Sequence, residues 1–280
     1  GQAVAGQRAA VCLASKVSPE HLAHDDVLGA AERSLRRLGT DYLDLYQVHW
    51  PNPAVPIAGT MRALERLVGE GLVRHLGVSN FSVPEAEAAT EALRHVPLAA
   101  VQAELNLFDR TVEQDLLPWC AARGITFIAY SPLDGGRLAR APEPALREIA
   151  TRRGVTPAQV ALAWVVAHPG VIAIPTATRR ADVDENAGAL GLVLAPAERA
   201  ALDGRFAGGC LHLSPTRIRV DASGLDRFRP GPEELAQGLR AGVPLKPIRV
   251  RRLAGAGPHD YELVEGKLRY WAWVTARPDC

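Results

Sequence analysis

Cysteine is scarce in this chain and follows no pairing pattern. Cys12, Cys120, Cys210 and Cys280 are widely scattered, and no two have the spacing of a zinc knuckle or a redox dithiol. They read as reduced thiols of a cytoplasmic protein. Long apolar runs are lacking too. No stretch of about 18 apolar residues marks a membrane span, and no charged-then-apolar leader marks a signal peptide. An excess of one charge is also absent, with 32 Lys/Arg against 31 Asp/Glu, so the whole molecule carries no nucleic-acid or membrane signature. The balance is uneven along the chain, however. Residues 212–280 hold 12 Lys/Arg against 8 Asp/Glu, and residues 1–211 hold 20 against 23. That asymmetry hints at two domains with different partners. Finally, no Gly-x-Gly-x-x-Gly follows any expected strand, which speaks against an open dinucleotide-binding sheet.

What is present is regular alternation. The 280 residues, 48% of them hydrophobic, suffice for one large core or two smaller ones. Strands are expected at 11–16, 40–51, 73–78, 99–102, 126–130 and 171–174, from short apolar runs bounded by turn residues. Helices fill the intervals. One is capped by Asp25 or Asp26, one spans 57–71, and one follows Pro84. Another spans 112–123 and is closed by Gly124. Two more come in succession after Tyr130, the second starting at Thr156-Pro157 with threonine as cap. Helices over 181–190 and 196–202 complete the series. Six strand–helix units fit a parallel α/β fold, although a closed barrel of this type has eight.

The expected strands share one property. They deliver Lys16, then His49, then Ser79 and Asn80, then Gln102, then Tyr130, and lastly Pro175 with Thr176 to Thr178 at their C-terminal ends. In a barrel these ends converge on one mouth. A single polar residue there is uninformative, and a lone histidine is more often a satisfied core group. Six in series make a site the better explanation.

The motifs LASK, LGTDYLDLYQVHWP, HLGVSNF, VQAELNLFDR, IAYSPL and IPTATRRADVDENAGAL resemble those of the aldo-keto reductases, in the family's order, over residues 1 to about 205. The resemblance implies a (β/α)8 TIM barrel that reduces an aldehyde or ketone with NADP(H), with the first two strands not represented. Carried over motif by motif, Lys16 and His49 correspond to two members of a catalytic set of four. Ser79, Asn80 and Gln102 correspond to the clamp on the nicotinamide carboxamide, and Tyr130 to the ring that stacks on it. Ser131 and Leu133 correspond to pyrophosphate contacts. Thr178, Arg179, Glu185 and Asn186 correspond to the adenosine end. Trp50 is expected to line the substrate pocket or to pack the barrel.

The chemistry is coherent. A carbonyl that accepts hydride builds negative charge on oxygen and needs a proton donor and a polarising donor. A cation such as Lys16 can stabilise the phenolate of a tyrosine acid. Three departures qualify the resemblance. The family's catalytic aspartate and tyrosine precede the lysine and have no counterpart here, and Tyr42 and Tyr46 lie within a strand, so neither replaces the acid. Thr176 stands where relatives often carry glycine or lysine, which removes one phosphate-binding charge. Arg179 and Arg180 have an alternative reading as a solvated helix start.

Residues 203–210 hold three glycines and read as a linker, with the domain boundaries set at 1–205, 206–212 and 213–280. Beyond it, LSPTRIRV, the segment GVPLKPIRVRRL with the helix before it, and YELVEGKLRYWA resemble a small α+β ParB/sulfiredoxin-like domain. The resemblance implies a phosphate-holding turn at Gly266 and Arg269, and a nucleotide or DNA as partner. Lys267 stands where a sulfiredoxin needs cysteine, so sulfinate repair is not expected. Tyr270 to Trp273 read better as core packing of a helix than as base-stacking groups. Two functions follow. One is an NADP-dependent carbonyl reductase. The other is a degenerate barrel that senses cofactor or serves as scaffold for the ParB-like domain.

Overall fold

In the computed structural model the described residues are 2–4, 6–206, 218–220, 232–240, 248–252 and 261–276. The chain divides into two compact units, 1–207 and 208–280. The first contains β1 (Ala14–Val17), α1 (His24–Leu38), β2 (Leu43–Val48), α2 (Ile57–Gly69), β3 (Val73–Ser79), α3 (Val83–Ala92) and β4 (Leu98–Glu104). It continues with α4 (Leu116–Ala122), β5 (Thr126–Tyr130), α5 (Arg137–Arg140), α6 (Pro144–Arg153), α7 (Pro157–Val166), β6 (Val171–Ala173), α8 (Arg180–Ala187) and α9 (Pro196–Phe206).

The six strands form one parallel sheet in strict chain order, β1 to β6. An open doubly wound sheet would reverse its order at a switch point. With no reversal, right-handed crossovers put every helix on the same face. The result is an α/β fold consistent with an incomplete (β/α)8 barrel. Alternation along the strands divides the side chains. Tyr46, Val48, Leu76, Val78, Val101, Ala103, Phe127 and Ala129 join the main core under the helices. Leu45, Ala100 and Ile128 form a separate cluster on the other face. Gly77 is needed where that face is tightest: a Cβ there would stand 2.9 Å from the Ala100 carbonyl and 3.0 Å from Gln47 Cγ.

Several expected boundaries shift for local reasons. Ala23, not Asp25 or Asp26, precedes α1; the two acids lie in its first turn, where the helix dipole favours them. The single helix expected over 112–123 is interrupted. Thr111–Glu113 is a 3-10 turn, and the Asp115 carboxylate then accepts the Leu116 N–H and starts a new helix. Three helices follow Tyr130 rather than two, the third capped by Thr156 as expected. The expected linker begins late, because Asp203–Phe206 belong to α9 and Phe206 is buried.

The second unit has β7 (Ile218–Arg219), α10 (Pro232–Arg240), β8 (Arg249–Arg252), β9 (Tyr261–Glu265) and α11 (Lys267–Ala276). Its sheet has the order β7-β9-β8, with β7 parallel and β8 antiparallel to β9. The pairing of β8 with β9 has a register shift between Arg249 and Val250. Pro247, Leu253, residues 213–217 and the GVPLKP segment through residue 247 lie outside the described residues, as does the expected linker beyond Phe206. In α11 Ala272 is buried, and the rings of Tyr270 and Trp271 meet edge-on, 5.4 Å apart. Tyr270, Trp271 and Trp273 are half-buried.

Candidate active site

Lys16 is the penultimate residue of β1, in register with Gln47 of β2. His49 follows β2 directly, and its backbone N–H donates to the Val17 carbonyl at 2.9 Å, which continues the ladder one residue past the strand. Burial pulls the Lys16 ammonium below its ordinary range. Burial, then the Lys16 charge, lower His49, against a smaller opposing pull from Glu20. The imidazole is therefore neutral at neutral pH and able to donate a hydrogen bond without carrying charge.

Asn80 knits the neighbouring strand ends together. It follows β3 with φ at 62°, a left-handed conformation that asparagine tolerates better than most residues. Its backbone N–H donates to the Gln102 carbonyl at 2.8 Å. Its side-chain Nδ2 donates to the His49 carbonyl and to Ser79 Oγ, both at 3.1 Å. The Tyr130 hydroxyl donates to Asn80 Oδ1 at 2.9 Å. One carboxamide thus links the ends of β2, β3 and β5. Ser79 and Gln102 are buried and lie opposite one another in the register of β3 and β4.

The next loop leaves β5 in strained backbone. Ser131 and Asp134 have φ of 49° and 51°, and with Asn80 they are the non-glycine residues of positive φ among those described. All three lie on loops at the C-terminal ends of strands, where such strain commonly marks function. Leu133 packs partly against the main core. Sequence reasoning missed the residue that holds this loop. Asn106 is fully buried. Its Nδ2 donates to the Ser131 carbonyl at 3.1 Å, and its Oδ1 accepts the Phe108 and Asp109 N–H groups at 2.9 Å each. The Asn-x-x-Asp spacing after β4 could have suggested the local turn; nothing in it points to Ser131.

After β6 come Thr178 and Arg179, both exposed, then α8 with Glu185 and Asn186 half-buried. Gln159 of α7 holds α8 in place: its Nε2 donates to the Glu185 carbonyl at 2.9 Å while its Oε1 accepts the Thr156 N–H at 3.0 Å. Trp50 is 42% exposed just past His49. Two residues on, Asn52 donates from Nδ2 to the Pro19 carbonyl at 2.9 Å and ties the loop after β2 to the loop after β1. In the second unit Gly266 has φ of 91°, and a Cβ on it would stand 2.9 Å from Ile248 and 3.1 Å from Arg269 Nε.

Neither Tyr42 nor Tyr46 reaches the mouth, and of the two only Tyr46 lies within the strand. Tyr46 is fully buried on the helix-facing side, where burial pushes its phenol up to about 12. Tyr42 precedes β2 at the opposite end of the sheet, with the guanidinium carbons of Arg8 and Arg74 at 3.8 and 4.0 Å from its ring centroid. Among the described residues no group of three or more His, Cys, Asp or Glu could hold a metal, and no helix is long and apolar enough to cross a membrane.

Residues 1–205 match the Aldo/keto reductase family. The chain belongs to that family. It is 40% identical over 206 residues to methylglyoxal reductase YeaE of Escherichia coli (strain K12), covering 72% of each chain. It is 34% identical to methylglyoxal reductase DkgB of Salmonella typhi, over 66% of this chain and 70% of that protein. An aldo-keto reductase from Klebsiella pneumoniae in complex with NADPH superposes with a TM-score of 0.70 at 41% identity, over 73% of both chains. As an aldo-keto reductase, the first unit is of the oxidoreductase class.

Proposed function

We propose that residues 1–205 reduce a small aldehyde or ketone, of the methylglyoxal kind, with NADPH. The observation that carries this reading is the Asn80 network, which gathers the ends of β2, β3 and β5 beside Lys16 and His49. The residues present suit the cofactor. Ser79, Asn80 and Gln102 supply donors and acceptors for a carboxamide, and the Tyr130 ring, tethered through its hydroxyl to Asn80, would be the group that stacks on it. Ser131 and Leu133 would meet the pyrophosphate, and Thr178, Arg179, Glu185 and Asn186 the adenosine. NADPH supplies the hydride. The chain's own groups do the rest. Neutral His49 donates a hydrogen bond to the carbonyl oxygen and polarises it. Lys16 supplies a cation that would lower the pKa of a hydroxyl donor placed beside it. Trp50 borders the substrate. The family placement and the retained mouth favour an enzyme over the scaffold reading.

The test is a fluorescence titration of residues 1–280 with NADPH. Asn80→Ala and Gln102→Ala should each weaken binding about tenfold, the loss of one or two hydrogen bonds to a bound polar group. Unchanged affinity in both variants would overturn the assignment.

For the second unit we propose a ParB-like phosphate or nucleotide site at Gly266 and Arg269. The left-handed glycine just before α11, with Arg269 folded back over it, supports a turn that presents backbone N–H groups to an anion. Titration with CTP, ATP and DNA at low salt tests it, and no binding to any of the three would leave this unit structural.

A further inference from the structure

Both arginines at the start of α8 already hold counter-ions. Arg179 donates from Nε and Nη2 to the two Asp182 oxygens at 3.0 and 2.6 Å. Arg180 Nε lies 3.7 Å from Asp184 Oδ2. With Glu185 following, the segment carries three acids against two bases. The first pair is a two-bond fork, the same arrangement a guanidinium offers to phosphate. A carboxylate therefore sits on the face of Arg179 that a phosphate would use. The pair is not locked in place: Arg179 is 78% exposed and Asp182 29%, and an exposed pair exchanges readily with a competing anion.

We propose that Asp182 is a specificity-determining residue that competes with the cofactor's 2′-phosphate for Arg179 and lowers the preference for NADPH over NADH. The inference rests on the cofactor reading above, and the reading does not require it. It differs from simple helix capping, to which Asp182 also contributes as the third residue of α8. A capping role calls only for an oxygen at this position. Competition calls for the charge.

The experiment measures NADPH and NADH affinity of residues 1–280 by fluorescence, with 2′,5′-ADP and 5′-ADP by calorimetry. The variants are Asp182→Asn, Asp182→Ser, Arg179→Ala and Arg179→Ala/Asp182→Asn, each checked by thermal melting. Asn and Ser keep a capping oxygen without the charge. Both should tighten NADPH and 2′,5′-ADP about fivefold while leaving NADH and 5′-ADP unchanged. The gain should vanish in the Arg179→Ala background. Equal gains for both nucleotide types, no gain, or a gain that survives Arg179→Ala would overturn the proposal while leaving the cofactor reading intact. Failure of wild type and all variants to bind any of the four ligands would remove both.

Discussion

Asp44 lies near the start of β2, at the end of the sheet opposite His49, and it shows how residues of similar type serve different purposes at the two ends. Burial alone would raise its carboxyl pKa. The Leu13 N–H at 2.9 Å, Arg8 at 2.7 Å and Arg74 at 3.0 Å outweigh that and hold it below the ordinary carboxylate range. The two arginines also flank the Tyr42 ring. Polar groups at the N-terminal end of a parallel barrel serve stability rather than chemistry. Asp44→Asn should therefore cost about 3 kcal/mol, the low end for a broken buried pair because Arg74 is half-exposed, and leave NADPH affinity unchanged. Denaturant unfolding measures the first and fluorescence the second. The pH dependence has a definite sign. A depressed folded pKa adds stability above the unfolded value, which is lost as pH falls through the folded one. Wild type should thus lose its advantage over the variant below roughly pH 4. An advantage that stayed the same from about pH 7 to pH 2 would show that it does not come from the Asp44 anion.

Among the elements, the loop after β5 depends on a residue of the neighbouring strand. Asn106 makes bonds in two directions, to its own turn and to the Ser131 carbonyl. Asn106→Ala should destabilise by about 1–3 kcal/mol through the acceptor and donors it leaves unpaired in the interior. It should also weaken NADPH binding, because Ser131 loses its support. Asn106→Asp keeps the two bonds to Oδ1 but loses both Nδ2 bonds, to the Ser131 carbonyl and to Glu104 Oε1 at 3.4 Å, and sets an oxygen against each acceptor, so it should weaken NADPH binding at least as much as Asn106→Ala; unchanged affinity in both variants would sever the connection. The contrast between local and distant partners also explains what was readable beforehand. The strands were legible because their apolar runs are short and bounded, and the inner ones, β2 to β5, are largely buried on both faces. The site residues were legible because they recur at strand ends. Helix starts were less so: whether Asp115 or Asp25 caps depends on backbone φ, which composition does not reveal. Asn106 was hidden because its partner Ser131 is 25 residues away. The Arg179–Asp182 pair has a legible spacing, but its rotamers decide which face of the arginine remains open.

At the level of the molecule, the first unit concentrates its polar groups at one end of a sheet whose outer strands, β1 and β6, are each paired on one side among the described residues. Ile172 of β6 and Ile174 just beyond it are 49% and 42% exposed, so apolar surface remains open there. This arrangement bears on turnover. Hydride arriving at a carbonyl leaves an oxyanion, and a positioned general acid typically contributes about 10²–10⁴-fold. Among the described residues of the first unit, Tyr46, Tyr130, Lys16 and His49 bear on the choice of that acid. Tyr46 is buried away from the mouth with its phenol pushed up to about 12, and the Tyr130 hydroxyl is committed to Asn80. Lys16 is a cation suited to tuning another acid, and neutral His49 polarises rather than protonates. The expected outcome is separation of binding from chemistry: the 280-residue polypeptide binds NADPH but oxidises it with methylglyoxal slower by about two to four orders of magnitude than a relative carrying a tyrosine acid. Near-UV circular dichroism establishes folding first, and absorbance at the reduced nicotinamide band then follows turnover. Fast turnover that His49→Ala abolished would assign the proton to His49 and refute the argument. Fast turnover that survived His49→Ala but not Lys16→Met would assign it to Lys16, whose burial already lowers its pKa.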